Sequence, residues 1–132
     1  MARRLIVDGM NVIGSRPDRW WNDPDKAMRG LVEELDRFAA RSGDEVVAVF
    51  DRRPPDLSPG RHGAIEVAFA SRRGRNAADH EIVQIVRADP DPGSLTVVTS
   101  DARLAERVGA LGARILPAGS FRRRLDRMGA SR

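Results

Sequence analysis

Short apolar runs alternate with segments of helical periodicity along the chain. Continuous apolar runs predict strands buried on both faces, whereas apolar residues three and four apart predict amphipathic helices. The expected strands are residues 5–7, 46–50, 65–69, 95–99 and 114–116. The expected helices follow the caps Asp23 and Asn76, span Ala102 to Leu111, and include Phe121, Leu125 and Met128. Residues 52–63, which are rich in proline and glycine, should form a loop.

This order of elements predicts one α/β domain over residues 1–132. Apolar strands separated by amphipathic helices favour a three-layer, Rossmann-like α/β/α fold with a mostly parallel sheet of about five strands. Right-handed crossovers bring every strand-to-helix loop to the carboxyl edge of such a sheet. Ligands bind at this edge in open sheets, so the loops there are the place to look for chemistry.

Several classes of function are excluded by composition. Cysteine is absent, which removes disulfides, thiolate metal sites and cysteine nucleophiles. With only His62 and His80, a zinc site is not expected either, so a bound metal should be Mg²⁺ or Mn²⁺ held by oxygen atoms. No apolar run approaches the roughly 20 residues that span a bilayer, and no secretory signal is recognisable, so a cytoplasmic protein is expected.

Charge is distributed unevenly around a net value of +4. Residues 52–75 and 112–132 are basic, whereas residues 1–51 and 76–111 are acidic on balance. This alternation suits a polyanion bound around an acidic centre, although an evenly mixed surface would give a similar count.

Four aspartates fall at the predicted carboxyl edge. Asp8 and Asp51 directly follow strands, Asp101 comes shortly after another, and Asp79 lies in the first turn of a helix. Each has an ordinary explanation: a turn at Asp8, a loop start at Asp51, a capping box from Asn76 to Asp79, or a helix cap at Asp101. Their coincidence at one edge is less ordinary. Clustered carboxylates repel one another unless a cation lies between them, which points to a divalent metal.

The motifs around these acids resemble YacP-like NYN domains, relatives of PIN-domain ribonucleases. The matching stretches are residues 5–14, 49–51, 76–79 and 98–101, in the family's order and spacing. The resemblance implies a PIN-like fold and Mg²⁺- or Mn²⁺-dependent endonucleolytic cleavage of RNA, with a ribosome-associated message as one conceivable substrate. It also implies that Asp8, Asp79 and Asp101 are metal ligands, that Asp51 is a further catalytic acid, and that Asn11 and Ser100 support them.

Two departures from the family pattern concern the surroundings of the site. The segment 52–63 looks shorter than in relatives, which affects any family-specific docking surface, and Ala77 stands where relatives often have threonine. The basic run Arg72, Arg73 and Arg75 precedes the helix that carries Asp79, so these arginines are expected to bind the RNA backbone. The sequence says nothing about oligomeric state.

Two other functions were weighed against a nuclease. A binding module for RNA or the ribosome could share the fold, but it would gain nothing from acids that face phosphate. A phosphatase of the haloacid type needs a second aspartate two positions after its nucleophile, and Met10 occupies that position after Asp8.

Overall fold

The computed structural model describes residues 2–71, 74 and 76–130. Strands and helices alternate in this part of the chain. The strands are β1 (Arg4–Asp8), β2 (Glu45–Phe50), β3 (Gly60–His62), β4 (Ile65–Phe69), β5 (Leu95–Val98) and β6 (Arg114–Leu116). The helices are α1 (Gly9–Gly14), α2 (Pro24–Ser42), α3 (Ala77–Ala88), α4 (Ala102–Ala110) and α5 (Ala118–Ala130).

β1 lies in the centre of one sheet with the order β3-β4-β2-β1-β5-β6. It pairs in parallel with β2 and β5, and β4 and β6 extend the sheet in the same direction. The predicted α/β fold with a mostly parallel sheet is therefore confirmed. The sheet has six strands, however, where about five were expected from the apolar pattern.

The additional strand, β3, lies in the segment 52–63, so the prediction of an uninterrupted loop was wrong. Residues 60–62 pair antiparallel with β4. Gly63, in the turn between β3 and β4, has a φ of 60°, which glycine adopts without steric strain and which allows the tight reversal. Arg61 then lies opposite Glu66, and their side chains form an ion pair at 3.7 Å. A three-residue edge strand of Gly, Arg and His carries no apolar signal, so the pattern could not reveal it.

Helices cover both faces of the sheet, which gives the expected three layers. On one face, α1, α2 and α5 pack on the strands through a cluster that includes Leu5, Val7, Phe50, Leu31, Leu35, Phe38 and Phe121. On the other face, α3 and α4 pack through a cluster that includes Ile6, Val49, Val97, Ile82, Val86, Leu104 and Val108. Each fully buried side chain of this size contributes about 1.5–3 kcal/mol to folding. No helix among the described residues is long and apolar enough to cross a bilayer.

The signals that delimit α2 were read correctly. The Asp23 carboxylate accepts a hydrogen bond from the backbone N–H of Lys26 at 3.1 Å, and Pro24 occupies the first helical position. Gly43 ends the helix with a φ of 77°. Asn76 precedes α3 as predicted, but it has a left-handed φ of 66° and its side chain makes no capping hydrogen bond.

β1 leads directly into α1, where a turn at Asp8-Gly9 had been expected. Gly9 is needed here for close packing, because a Cβ at this position would overlap the ring of Phe50. The short helix therefore starts against the end of β2. This close approach fixes Asp8 at the carboxyl edge of the sheet, beside the end of the neighbouring strand.

Candidate active site

All four predicted aspartates line one cleft at the carboxyl edge of the sheet. Its volume is about 190 Å³, and its walls are Asp8, Met10, Asn11, Asp51, Asn76, Ala78, Asp79 and Asp101. β1 and β2 supply Asp8 and Asp51 at their ends, and the starts of α3 and α4 supply the other two acids. The topology thus gathers residues that are far apart in sequence, as the strand order predicts.

Asp8 is the most deeply buried of the four acids. It is 5% exposed, and its Oδ2 accepts a hydrogen bond from the Thr99 hydroxyl at 2.9 Å. Burial raises the pKa of Asp8 to about 6, and the negative charges of Asp79 and Asp101 push in the same direction. The Thr99 hydroxyl and the backbone N–H of Asn11 oppose this shift by stabilising the carboxylate.

Asp51 and Asp79 are half-buried at the rim. Desolvation raises the pKa of both side chains, and the charge of Asp101 adds to the effect at Asp79. Arg103 and Arg107 on α4 partly offset the increase at Asp79. The alternative interpretation of Asn76 and Asp79 as a capping box is not supported, because the Asn76 side chain makes no capping hydrogen bond.

Asp101 has a structural role as well as a place in the cleft. Its Oδ1 accepts hydrogen bonds from the backbone N–H groups of Arg103 and Leu104, at 2.9 and 3.1 Å. The alternative interpretation of Asp101 as a helix cap is therefore correct. Among the described residues only Oδ1 takes part in capping, so Oδ2 remains available to a ligand in the cleft.

Thr99 links the first and last of these acids and was not singled out from the sequence. Its hydroxyl donates to Asp8 and accepts from the backbone N–H of Asp101 at 3.1 Å. It is 1% exposed. A buried threonine at a strand end carries no sequence signal beyond its position two residues before Asp101, so only the hydrogen bonds reveal its role.

Asn11 and Ser100 were expected to support the acids, and of the two only Asn11 lines the cleft. Asn11 lines the cleft, and its Oδ1 accepts from the backbone N–H of Ser100 at 2.7 Å. Ser100 lies outside the cleft wall, because its hydroxyl oxygen accepts from the backbone N–H of Ala118 at 2.9 Å. Ser100 thereby holds the start of α5 next to the loop after β5.

The cleft acids contrast with the acids at the other edge of the sheet, which have arginine partners. At the opposite edge of the sheet, Asp44 pairs with Arg3, and Arg4 pairs with both Glu45 and Asp89. No ion pair in the described residues involves the cleft aspartates. Among the described residues, the acids of the opposite edge are therefore paired with arginines and those of the cleft are not, which favours a cationic ligand.

The donor set suits a hard divalent cation, since it consists of carboxylate and amide oxygens without sulfur or imidazole. Within residues 2–71, 74 and 76–130, however, no three acidic or histidine side chains converge closely enough to chelate an ion directly. Mg²⁺ commonly keeps several of its waters and takes only one or two carboxylates directly. The cleft thus fits an ion held partly through water.

The expected RNA-binding residues Arg72, Arg73 and Arg75 lie outside the described residues. Among the arginines of α5, Arg122 is buried. That side chain is 6% exposed and pairs with Glu34 at 3.1 Å.

An α/β/α domain with an acidic cleft at the carboxyl edge of its sheet has the architecture of the PIN-like nuclease superfamily. Within it, this chain belongs to the YacP-like NYN domain family, whose model matches residues 5–131. It is similar to the crystal structure of Rae1 (YacP) from Bacillus subtilis, with a TM-score of 0.77 and 23% identity over 99% of this chain and 77% of that one. A point mutant of Rae1 gives a TM-score of 0.78 at 23% identity, over 98% of this chain and 78% of the other. No curated protein matches the sequence.

Proposed function

We propose that the protein is a divalent-metal-dependent endoribonuclease. The observation that carries this proposal is the cleft of four aspartates, none of which forms an ion pair with a described residue, in a member of a PIN-like nuclease family. Such acids are expensive to bury together, and burial raises the pKa of three of them. A bound cation would favour the ionised carboxylates, so a metal-binding role explains why these acids lie together.

In this proposal Asp8, Asp79 and Asp101 hold Mg²⁺ or Mn²⁺. The ion, when bound, lowers the pKa of a water molecule and offsets the charge that develops on the phosphate. Asp51 accepts a hydrogen bond from the attacking water and orients it. Asn11 has its Oδ1 engaged by Ser100, so its amide NH₂ is the group that it can offer to a phosphate oxygen.

Hydrogen bonds around the cleft prepare it for this role. Thr99 orients the Asp8 carboxylate and holds the backbone of Asp101, so the two acids keep a fixed relation. Arg72, Arg73 and Arg75 are proposed to bind the backbone of single-stranded RNA, as their place before α3 suggests.

Cleavage assays on single-stranded RNA test this proposal. The wild type should cleave with Mg²⁺ or Mn²⁺ and stop with EDTA, and Asp79→Asn and Asp101→Asn should each abolish cleavage while RNA binding persists. Glu66→Gln is the matched control, because it removes one exposed carboxylate at another part of the sheet and should cleave like the wild type. Cleavage that survives both EDTA and Asp101→Asn would contradict the metal mechanism.

The alternative is an RNA- or ribosome-binding module of the same fold. The absence of a ready-made chelating group of three acids in the described residues is the observation that favours it. If no naked RNA is cleaved, the wild type and both variants should be compared on translating ribosomes. Equal inactivity there, together with RNA or ribosome binding, would establish the binding module instead.

A further inference from the structure

A second cavity of about 280 Å³ adjoins the acidic cleft, between α1 and α5. Its walls are Met10, Asn11, Gly14, Ser15, Ser100 and Ala118. Met10 and Asn11 also line the acidic cleft, so a ligand that reaches the acids can extend into this α1–α5 cavity without crossing another element.

The α1–α5 cavity differs in chemistry from the cleft beside it. None of its lining residues is charged: Met10, Gly14 and Ala118 give apolar walls, and the other three give hydroxyl and amide groups. It is close in size to the lower end of ligand pockets, roughly 300 Å³. Such walls suit a ribose and a nucleobase, because a polarisable methionine packs well on an aromatic face.

Hydrogen bonds fix the polar walls before any ligand arrives. The Ser15 hydroxyl donates to the backbone carbonyl of Val12 at 2.6 Å, and the Ser100 hydroxyl oxygen accepts from Ala118. Asn11 is held by the N–H of Ser100. The cavity is therefore preformed, which lowers the ordering cost of binding.

A cation lies at the first turn of α5, which carries one wall of the cavity. The exposed side chain of Arg123 folds back and donates from Nη2 to the Ser120 hydroxyl at 3.3 Å. Its Nη1 is 3.7 Å from the position that a Cβ on Gly119 would take. Its helix neighbour Arg122 pairs with Glu34, whereas Arg123 makes no ion pair with any residue that the structure describes.

Resting on the proposed ribonuclease function, we propose that the α1–α5 cavity holds the nucleotide next to the scissile phosphate of single-stranded RNA, with Arg123 on that nucleotide's outer phosphate. An unpaired strand is required, because a base can enter a cavity only when it is splayed out of a helix. The Ser15 hydroxyl and Asn11 Oδ1 are already engaged by hydrogen bonds within the chain and so contribute little to reading base edges, and we expect the subsite to tolerate different bases.

Two variants test the two parts of the subsite, the cavity and the cation. Gly14→Leu fills the cavity, and its new Cβ meets no neighbouring atom within 4 Å. Arg123→Gln removes the cation. Gly30→Leu is the control for the first, since its Cβ also points into open space, and Arg127→Gln controls the second from one turn further along α5.

Binding of labelled single-stranded RNA should be measured in EDTA, on an Asp101→Asn background, at several salt concentrations. Each test variant should weaken binding about tenfold, as expected for the loss of a charge-assisted contact or of a filled subsite. Arg123→Gln should also lower the salt slope by about 0.7, the value for one single-strand phosphate contact, whereas Gly14→Leu should leave that slope unchanged. The controls should bind like the parent.

The outcomes separate this inference from the proposed function. If the wild type cleaves RNA but both test variants bind like their controls, the subsite is wrong and the nuclease assignment stands. If the wild type never cleaves, the binding comparison still decides the subsite. If Gly14→Leu shows no cooperative melting transition, Arg123→Gln against Arg127→Gln decides it alone.

Discussion

Replacing Asp8 with asparagine should stabilise the folded protein at neutral pH when no divalent ion is present. Burial raises the pKa of Asp8 to about 6 from an ordinary 3.8. One pKa unit corresponds to about 1.4 kcal/mol, so ionised Asp8 lowers the free energy of unfolding by about 3 kcal/mol. Asparagine has a similar shape and no charge, and its Oδ1 can still accept the Thr99 hydroxyl. A gain of up to about 3 kcal/mol is therefore expected.

The gain should depend on pH in a defined direction. The pKa of Asp8 is higher in the folded state, so the native protein binds this proton more tightly than the unfolded chain. The penalty is absent below the unfolded pKa of 3.8, grows as the pH rises, and is fully present above the folded value of about 6. Asp8→Asn and the wild type should therefore have similar stability near pH 4 and differ most above pH 6.

Thermal and urea denaturation in EDTA, at about pH 4 and about pH 7.5, measure this difference. A gain of about 3 kcal/mol corresponds to a rise in Tm of roughly 6–12 °C for a domain of this size. Asp89→Asn is a control of opposite sign: a hydrogen bond from Arg4 lowers the pKa of Asp89, so its neutralisation should reduce stability at neutral pH.

Divalent ions should narrow or remove the stability difference between Asp8→Asn and the wild type. An ion at 100 times its Kd stabilises the native state by about 2.7 kcal/mol, and Asp8→Asn should respond less because it has lost a ligand. A variant that is less stable than the wild type at neutral pH in EDTA, or equally shifted at both pH values, would refute the electrostatic reasoning. A wild-type Tm that ignores millimolar Mn²⁺ would count against the metal site.

Two further substitutions test the framework of the cleft. Gly9→Ala should destabilise the protein by about 1–3 kcal/mol, because its Cβ would overlap the Phe50 ring; urea denaturation against Gly30→Ala, whose Cβ is unobstructed, measures the loss. Thr99→Val should lower stability by about 1–3 kcal/mol and weaken Mn²⁺ binding in calorimetry, whereas Thr99→Ser, which keeps the hydroxyl, should restore Mn²⁺ affinity. Mn²⁺ affinity that is equal in Thr99→Val and the wild type would contradict a positioning role.

Much of the fold could be predicted because its strands are buried on both faces. β1, β2 and β5 have almost no polar positions, so the apolar runs mark them directly. β3 escaped because an exposed edge strand of three residues needs no apolar side chain. The helix α1 was not predicted because Asp8-Gly9 is typical of a turn. The contact that requires glycine at position 9 comes from Phe50 on another strand. Such contacts between distant segments have no local signature.

The position of the cleft could be predicted from the topology, whereas the hydrogen bonds around it could not. Parallel strands bring their carboxyl ends to one edge, so Asp8, Asp51 and Asp101 could be expected there. The hydroxyl of Thr99 and the division between Asn11 and Ser100 depend on side-chain directions that spacing alone cannot supply. Spacing also could not show that Asp101 both caps α4 and lines the cleft. It can do both because its Oδ1 accepts the capping hydrogen bonds and its Oδ2 does not.

The acidic side chains at the two edges of the sheet differ in how their charges are compensated. Around the amino-terminal edge, Asp44, Glu45 and Asp89 are paired with Arg3 and Arg4, so their charges are compensated within the chain. At the carboxyl edge, four aspartates line one cleft and form no ion pair with a described residue, although this chain is rich in arginine and carries a net charge of +4. Burial and mutual repulsion of these carboxylates lower the free energy of unfolding, as the raised pKa values of Asp8 and Asp79 indicate. A cation bound in the cleft would recover that loss, and stability would then be coupled to the ligand on which the proposed chemistry depends.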